Sequence, residues 1–240
     1  MKKILLPLIL AVTLLLTACS PKIDPAIGRD GIDNYSGGRI TLVKRNGTWH
    51  YKLFSMKYTG VDGDRENPGT FDPETDTMAH YMRQHGWAIG DKTLPDTVLE
   101  DAADWEVAVG NFGDDGSYEE VDIGFAGDNH GLMICTTFEI ADLEEFKYTF
   151  NKLNLHCHYD NTVSIFLNGT LVYRHSIDES GTPDWTGGYE HLNTYFQEVN
   201  AYFIGDEALK ELLVQGQNTL FAMVKDGWGG RVLVLGMDCN

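Results

Sequence analysis

Residues 156–160 read His156-Cys157-His158-Tyr159-Asp160. In an extended strand, side chains alternate, so His156, His158 and Asp160 share one face while Cys157 and Tyr159 share the other. Two imidazoles at i and i+2, with a carboxylate as third ligand, can grip a zinc ion and support metal-dependent hydrolysis. The same alternation also describes a plain solvated face opposite an apolar one. A second oxygen-rich group is Asp114-Asp115-Gly116-Ser117 followed by Glu119. Its carboxylates suit a structural calcium ion, though the EF-hand spacing is missing. Aromatic residues form the third group. Trp185 and Tyr189 lie in a glycine-rich stretch, and Trp228 lies in Asp226-Gly227-Trp228-Gly229-Gly230-Arg231. An indole in a loop can stack on the apolar face of a sugar ring while Arg231 and a nearby aspartate bind its hydroxyls. In the competing reading these rings close the ends of the fold.

Signatures of an independent enzyme are missing. There is no Gly-x-Ser-x-Gly elbow, no His-Glu-x-x-His helix and no phosphate-binding loop of the Walker type. Acidic pairs abound, but with 36 Asp and Glu they are expected by chance and name no glycosidase dyad. The sequence therefore points to a non-catalytic protein, with a metal-dependent hydrolase built on His156 and His158 as the exception. The formal charge of −18 repels phosphate backbones, which argues against a nucleic-acid partner.

The first residues suggest export. Met1-Lys2-Lys3 is followed by an apolar run over residues 4–16, a length that suits a secretory signal and falls short of a membrane span. Leu16-Thr17-Ala18-Cys19 then looks like the lipobox of bacterial lipoproteins. That resemblance implies cleavage after residue 18 and acylation of Cys19, hence a lipid-anchored protein of the cell envelope. Without Lys2 and Lys3 the mature chain keeps 16 of its 18 basic residues against 36 acidic ones, a charge of about −20. Residues 19–38, with Pro21, Pro25 and several glycines, read as a tether, and residues 39–240 as one folded domain. Cys135, Cys157 and Cys239 then remain, and an exported location permits one disulfide among them with one thiol left over.

Strands must position these groups. Short runs rich in β-branched and aromatic residues fall at 40–43, 49–54, 132–140, 152–159, 163–167, 171–173, 218–224 and 231–237. Asn46-Gly47 and Asn168-Gly169 each sit between two such runs and predict two-residue hairpins. Residues 62–100 are rich in charge, proline and glycine and predict long loops, with one helical turn near residues 78–82. One helix is expected over 207–213, with Asp206 as N-cap, Gly216 as stop, and Leu209, Leu212 and Leu213 on the buried face. The fold class expected is all-β, an antiparallel β-sandwich with one short helix.

The order of motifs from residue 105 onward adds a family resemblance. Residues 105–113 read Trp-Glu-Val-Ala-Val-Gly-Asn-Phe-Gly; Phe138-Glu139-Ile140, Tyr159-Asp160-Asn161, Ile165-Phe166-Leu167-Asn168-Gly169, Gly187-Gly188-Tyr189 and a Leu212…Gly216-Gln217-Asn218 step follow. This resembles the galactose-binding-like jelly rolls that accompany glycoside hydrolases of the β-galactosidase type and glutaminase-like bacterial lipoproteins. The resemblance implies a jelly roll that binds a carbohydrate, with catalysis residing in other domains. Trp185, Tyr189, Trp228 and Arg231 are the expected sugar contacts. An adaptor that contacts other envelope proteins is the alternative. Ile134-Cys135 replaces an aromatic-arginine pair of the family, so arginine contacts from that position do not carry over.

Overall fold

The structure is a computed structural model and describes residues 40–57, 74–88, 91–113, 122–125, 127–150, 153–159, 162–175, 199–201, 206–225 and 231–239. Eleven strands are seen: β1 Ile40–Val43, β2 Thr48–Ser55, β3 Glu106–Val109, β4 Phe112–Gly113, β5 Asn129–Ile140, β6 Leu153–Tyr159, β7 Thr162–Leu167, β8 Thr170–His175, β9 Val199–Ala201, β10 Gly216–Lys225 and β11 Val232–Cys239. They form two antiparallel sheets. One runs β3-β2-β5-β10-β7-β8; the other runs β1-β11-β6-β9, with β4 also pairing to β11. The sheets pack face to face as a β-sandwich. Leu132, Ile134, Leu220 and Val224 of the larger sheet meet Leu155, Tyr159, Leu233 and Leu235 of the smaller one in the inner core.

The larger sheet is apolar on both faces. On β5, β7 and β10 the residues that point away from the inner core are Met133, Cys135, Phe166, Phe221 and Met223, all at most 1% exposed. They must be covered, because leaving that many apolar side chains in water forfeits roughly 2 kcal/mol each. The cover is helical. Helices α1 (Thr77–Gln84) and α2 (Asp96–Ala102) lay Met78, Tyr81, Met82 and Val98 on this face, with Trp87 and Trp105 wedged beside them. Trp87 meets Phe166 and Phe221 edge-on at 5.7 and 6.0 Å between centroids. Gly131 makes room for the contact, since a Cβ there would come within 2.7 Å of Met78 Cε.

Two further short helices, α3 (Leu143–Thr149) and α4 (Asp206–Glu211), lie at the far end of the sandwich. The chain thus has four helices among the described residues where the sequence reading expected one. The helical turn expected near residues 78–82 is part of α1, whereas the charged composition of residues 62–100 hid the seven-residue α2. The expected helix does form, and Leu209 and Leu213 enter the inner core with Leu212 packed against it. It ends at Glu211, and Gly216 instead adopts φ +88° at the start of β10.

The two Asn-Gly pairs behave differently. Asn168 and Gly169 take φ +48° and +76°, as a two-residue hairpin between β7 and β8 requires. The Asn168 side chain also donates to Leu212 O and Asn218 Oδ1 and accepts from Thr219 N, which ties the turn to β10. Asn46-Gly47 makes no hairpin. Neither residue has a positive φ, β1 pairs with β11, and β2 pairs with β3 and β5 in the other sheet. The turn, closed by Gly47 N to Lys44 O at 3.1 Å, carries the chain from one sheet to the other.

Cys135, Cys157 and Cys239 are free and buried. Cys157 lies opposite Leu235, four residues from Cys239 along β11, so roughly 13 Å separates them along the strand and no disulfide can span it. Cys135 faces the helical layer on the other side of the larger sheet. The disulfide that an exported location permits does not form here.

A buried ion pair fastens α1 to the larger sheet. Asp76 caps α1 by accepting from Ala79 N through Oδ1, and its Oδ2 accepts from Lys225 Nζ at 2.6 Å, with both side chains about 5% exposed. Asp76→Asn leaves a buried ammonium facing a neutral amide and should lower stability by about 3 kcal/mol or more. Replacing both residues, as Asp76→Asn with Lys225→Met, should recover part of that loss. Urea denaturation reads both values, and an undiminished single variant would show that the pair does not dock α1.

Candidate functional site

The ends of the strands define one rim. Across the larger sheet, Ser55 pairs with Asn129, Lys225 with Gly131 and Thr162, and His175 with Val163. In the smaller sheet, Val232 pairs with Gly113, Leu233 with Tyr159, and Val199 with Cys157. Only two residues separate Tyr159 from Thr162, so both sheets end on the same side. Five connections therefore leave from and return to this rim: 56–76, 114–128, 160–161, 176–198 and 226–231. The ends of β8 and β10 lie two strands apart, roughly 10 Å.

Those connections carry most of the candidate residues. Asp114, Asp115 and Glu119 belong to the second, Asp160 to the third, Trp185 and Tyr189 to the fourth, and Trp228 to the fifth. Each of these side chains, like Cys19, lies outside the described residues. The described strand ends that flank these connections thus share one end of the sandwich, although sequence distance keeps them apart. The remaining three tryptophans are consumed by packing: Trp49 in the inner core, Trp87 and Trp105 under the helical layer. At the other end lie the Asn168-Gly169 turn and helices α3 and α4. Ile40, paired with Cys239, brings the chain in there too.

Arg231 is described, and its place differs from a sugar contact in open solvent. It is buried, its Nη2 donates to Gly127 O at 3.0 Å and lies 3.1 Å from His130 Nδ1. Because guanidinium only donates, His130 Nδ1 must accept, which fixes the tautomer with its proton on Nε2. Arg231 therefore ties the 114–128 connection to the start of β11 and supports the rim from within. His130 was not evident as a partner from the sequence, since 101 residues separate the two.

His156 and His158 do lie on the face of β6 opposite Leu155, Cys157 and Tyr159, which enter the inner core. The outer face is less solvated than alternation alone suggests. His158 is buried beside Val234, and His156 Nε2 meets Asp238 Oδ2 at 2.6 Å while Asn154 donates to Asp238 Oδ1. Asp238, on the neighbouring strand, is the partner that sequence reading missed, because strand register is not written in local spacing. Among the described residues no group of three or more His, Cys, Asp or Glu stands ready for a metal ion.

A further polar cluster sits on the helical layer. Asp101 Oδ2 accepts from Tyr81 Oη at 2.7 Å, Trp105 Nε1 at 2.8 Å and Lys52 Nζ at 3.2 Å. The Lys52 ammonium also lies 4.8 Å from the Tyr81 ring centre. Burial pushes the Asp101 carboxyl up, but the three donors outweigh it and hold the group below the ordinary carboxylate value. Burial and the same bond push the Tyr81 hydroxyl up. One oxygen receiving three donors, from α1, β2 and Trp105 just after α2, is a clasp that joins elements.

A scan against models of known protein families finds no match to this sequence, and a search of curated proteins finds none either.

The depressed Asp101 carboxyl fixes a pH dependence. Its contribution is complete above the unfolded carboxylate value near 4 and is lost as pH falls through the lower folded value. The stability gap between the native chain and Asp101→Asn should therefore narrow as pH falls from about 4. Denaturation curves across that range check it, and a constant gap would contradict the clasp.

Proposed function

We propose that this chain is a lipid-anchored, non-catalytic binding protein of the cell envelope that holds a carbohydrate at the rim. The observation that carries the reading is the arrangement of ends. The strand ends that flank the connections bearing Trp185, Tyr189 and Trp228 share the rim, while Ile40, where the described chain begins, lies at the far end. Strand β11 has eight residues between these ends, a separation of roughly 25 Å. Acylation at Cys19 and a tether over residues 19–38 would leave the rim facing away from the lipid. No helix among the described residues is long and apolar enough to cross a membrane, so attachment rests on Cys19 in this reading.

The chemistry follows from the residues available. Indole and phenol rings stack on the C–H faces of a sugar, and loop aspartates and backbone amides accept or donate to its hydroxyls. Arg231 acts from below as a brace. A carboxylate-rich protein of charge −18 favours neutral glycans over anionic ones. Asp114, Asp115 and Glu119 would steady the same rim with calcium. Two packed antiparallel sheets and the Asn168-Gly169 hairpin support a galactose-binding-like jelly roll as the finer description of the fold.

A glycan array followed by calorimetry on the mature chain tests this reading. Trp228→Ala should weaken binding of the best neutral oligosaccharide about tenfold, the loss of one stacking contact near 1.4 kcal/mol. Absence of binding to every glycan, or an affinity in Trp228→Ala and Trp185→Ala unchanged from that of the native chain, would contradict it.

A further inference from the structure

The far end of the sandwich holds a surface unrelated to the rim. Strand β1 is an edge: it pairs with β11 on one side, and nothing among the described residues pairs with the other. The far edge of the larger sheet is treated differently. Residues 91–94 run along β8, bonding Leu171 N to Lys92 O and Leu94 N to Gly169 O, and so cover it. An edge that no described strand pairs offers backbone amides and carbonyls to an incoming strand.

Each face of this edge borders a hollow. On one side, Ile40 and Leu42 wall a groove of about 470 Å³ floored by Phe146 and Phe150 of α3 and its C-cap. Its mouth carries the exposed carboxylates of Glu139, Asp142 and Glu145. On the other side, Thr41 and Lys44 border a pocket of about 360 Å³ whose lining also includes Arg45, His156 and the Asp238 carboxylate. Here Gly236 is required, because a Cβ would come within 2.8 Å of Arg45 Cγ where that side chain crosses the sheet. The register shift between Thr41 and Val43 puts Leu42 on the groove side again and limits a regular added strand to a few residues.

We propose that the β1 edge receives an extended segment of a partner protein as an added strand. Backbone bonds would supply affinity, and alternate side chains would enter the two hollows, as in other strand-addition interfaces. The charges choose the sequence. Apolar or cationic side chains fit the groove ringed by three carboxylates, and anionic ones fit beside Lys44 at the border of the other hollow. A second copy of this chain is the poorer occupant, because two bodies each carrying −18 repel. The inference stands apart from the glycan reading, since it uses the opposite end of the sandwich and none of its residues.

The test pans phage-displayed random octapeptides against the full mature chain and measures the enriched peptides by calorimetry. Enriched peptides should alternate, with acidic residues at every second position and apolar or basic ones between. Lys44→Glu and Glu145→Lys should each weaken them at least fivefold, while the double variant should prefer peptides of inverted charge. Thermal melts confirm that the variants fold. No enrichment, enrichment without alternation, or affinity unchanged in the double variant would overturn the proposal. A dimer seen by sedimentation and dissolved by the double variant would also overturn it, assigning the edge to a second copy.

Discussion

The larger sheet has two apolar faces, and the rest of the structure answers to that. A sheet with one apolar face is satisfied by a second sheet; a sheet with two needs a further layer. Leu132, Ile134 and Leu220 meet the smaller sheet, while Met133, Phe166 and Phe221 lie a residue away on the opposite face and meet helices. The molecule is therefore a sandwich with a helical lining on one side. The buried Asp76–Lys225 pair and the Asp101 clasp are the polar fixings of that lining. Neither contributes much by itself against the area buried, but both set where the short helices lie.

This constraint also decides where function can be. With both faces of the larger sheet consumed and His158 and Asp238 of the smaller one buried, broad flat surfaces are scarce among the described residues. What is left are ends and edges. One end gathers five connections, braced from inside by Arg231 on Gly127 O and His130. The other end takes in the chain at Ile40 and offers the β1 edge. The proposed glycan and the proposed partner strand use these two ends separately.

Much of this was legible in the sequence, and the failures have physical causes. The alternation of residues 153–159 correctly put Leu155 and Cys157 inside and His156 and His158 outside. Residues 131–135 and 220–224 are unbroken apolar runs, which is what a strand covered on both faces requires. Read only as strands, they concealed the need for a helical layer over residues 77–102. Asn168-Gly169 was legible because its turn is local. Asn46-Gly47 was not, because whether two adjacent runs pair depends on which sheet each joins. The Asp238 partner of His156 and the His130 partner of Arg231 come from distant strands, beyond the reach of any local spacing. Trp49, Trp87 and Trp105 prove to be core.

The central claim is that the helical layer is part of the core and does not open separately. Cys135 lies beneath that layer, whereas Cys157 lies between the sheets, and burial pushes both thiols up and out of reach of reagents. Peptide-resolved mass spectrometry of alkylation under native conditions gives the labelling rate of each. If the layer is integral, Cys135 and Cys157 label at one common slow rate set by global unfolding. Labelling of Cys135 many times faster than Cys157 would mean that the helices lift on their own, and would contradict the account.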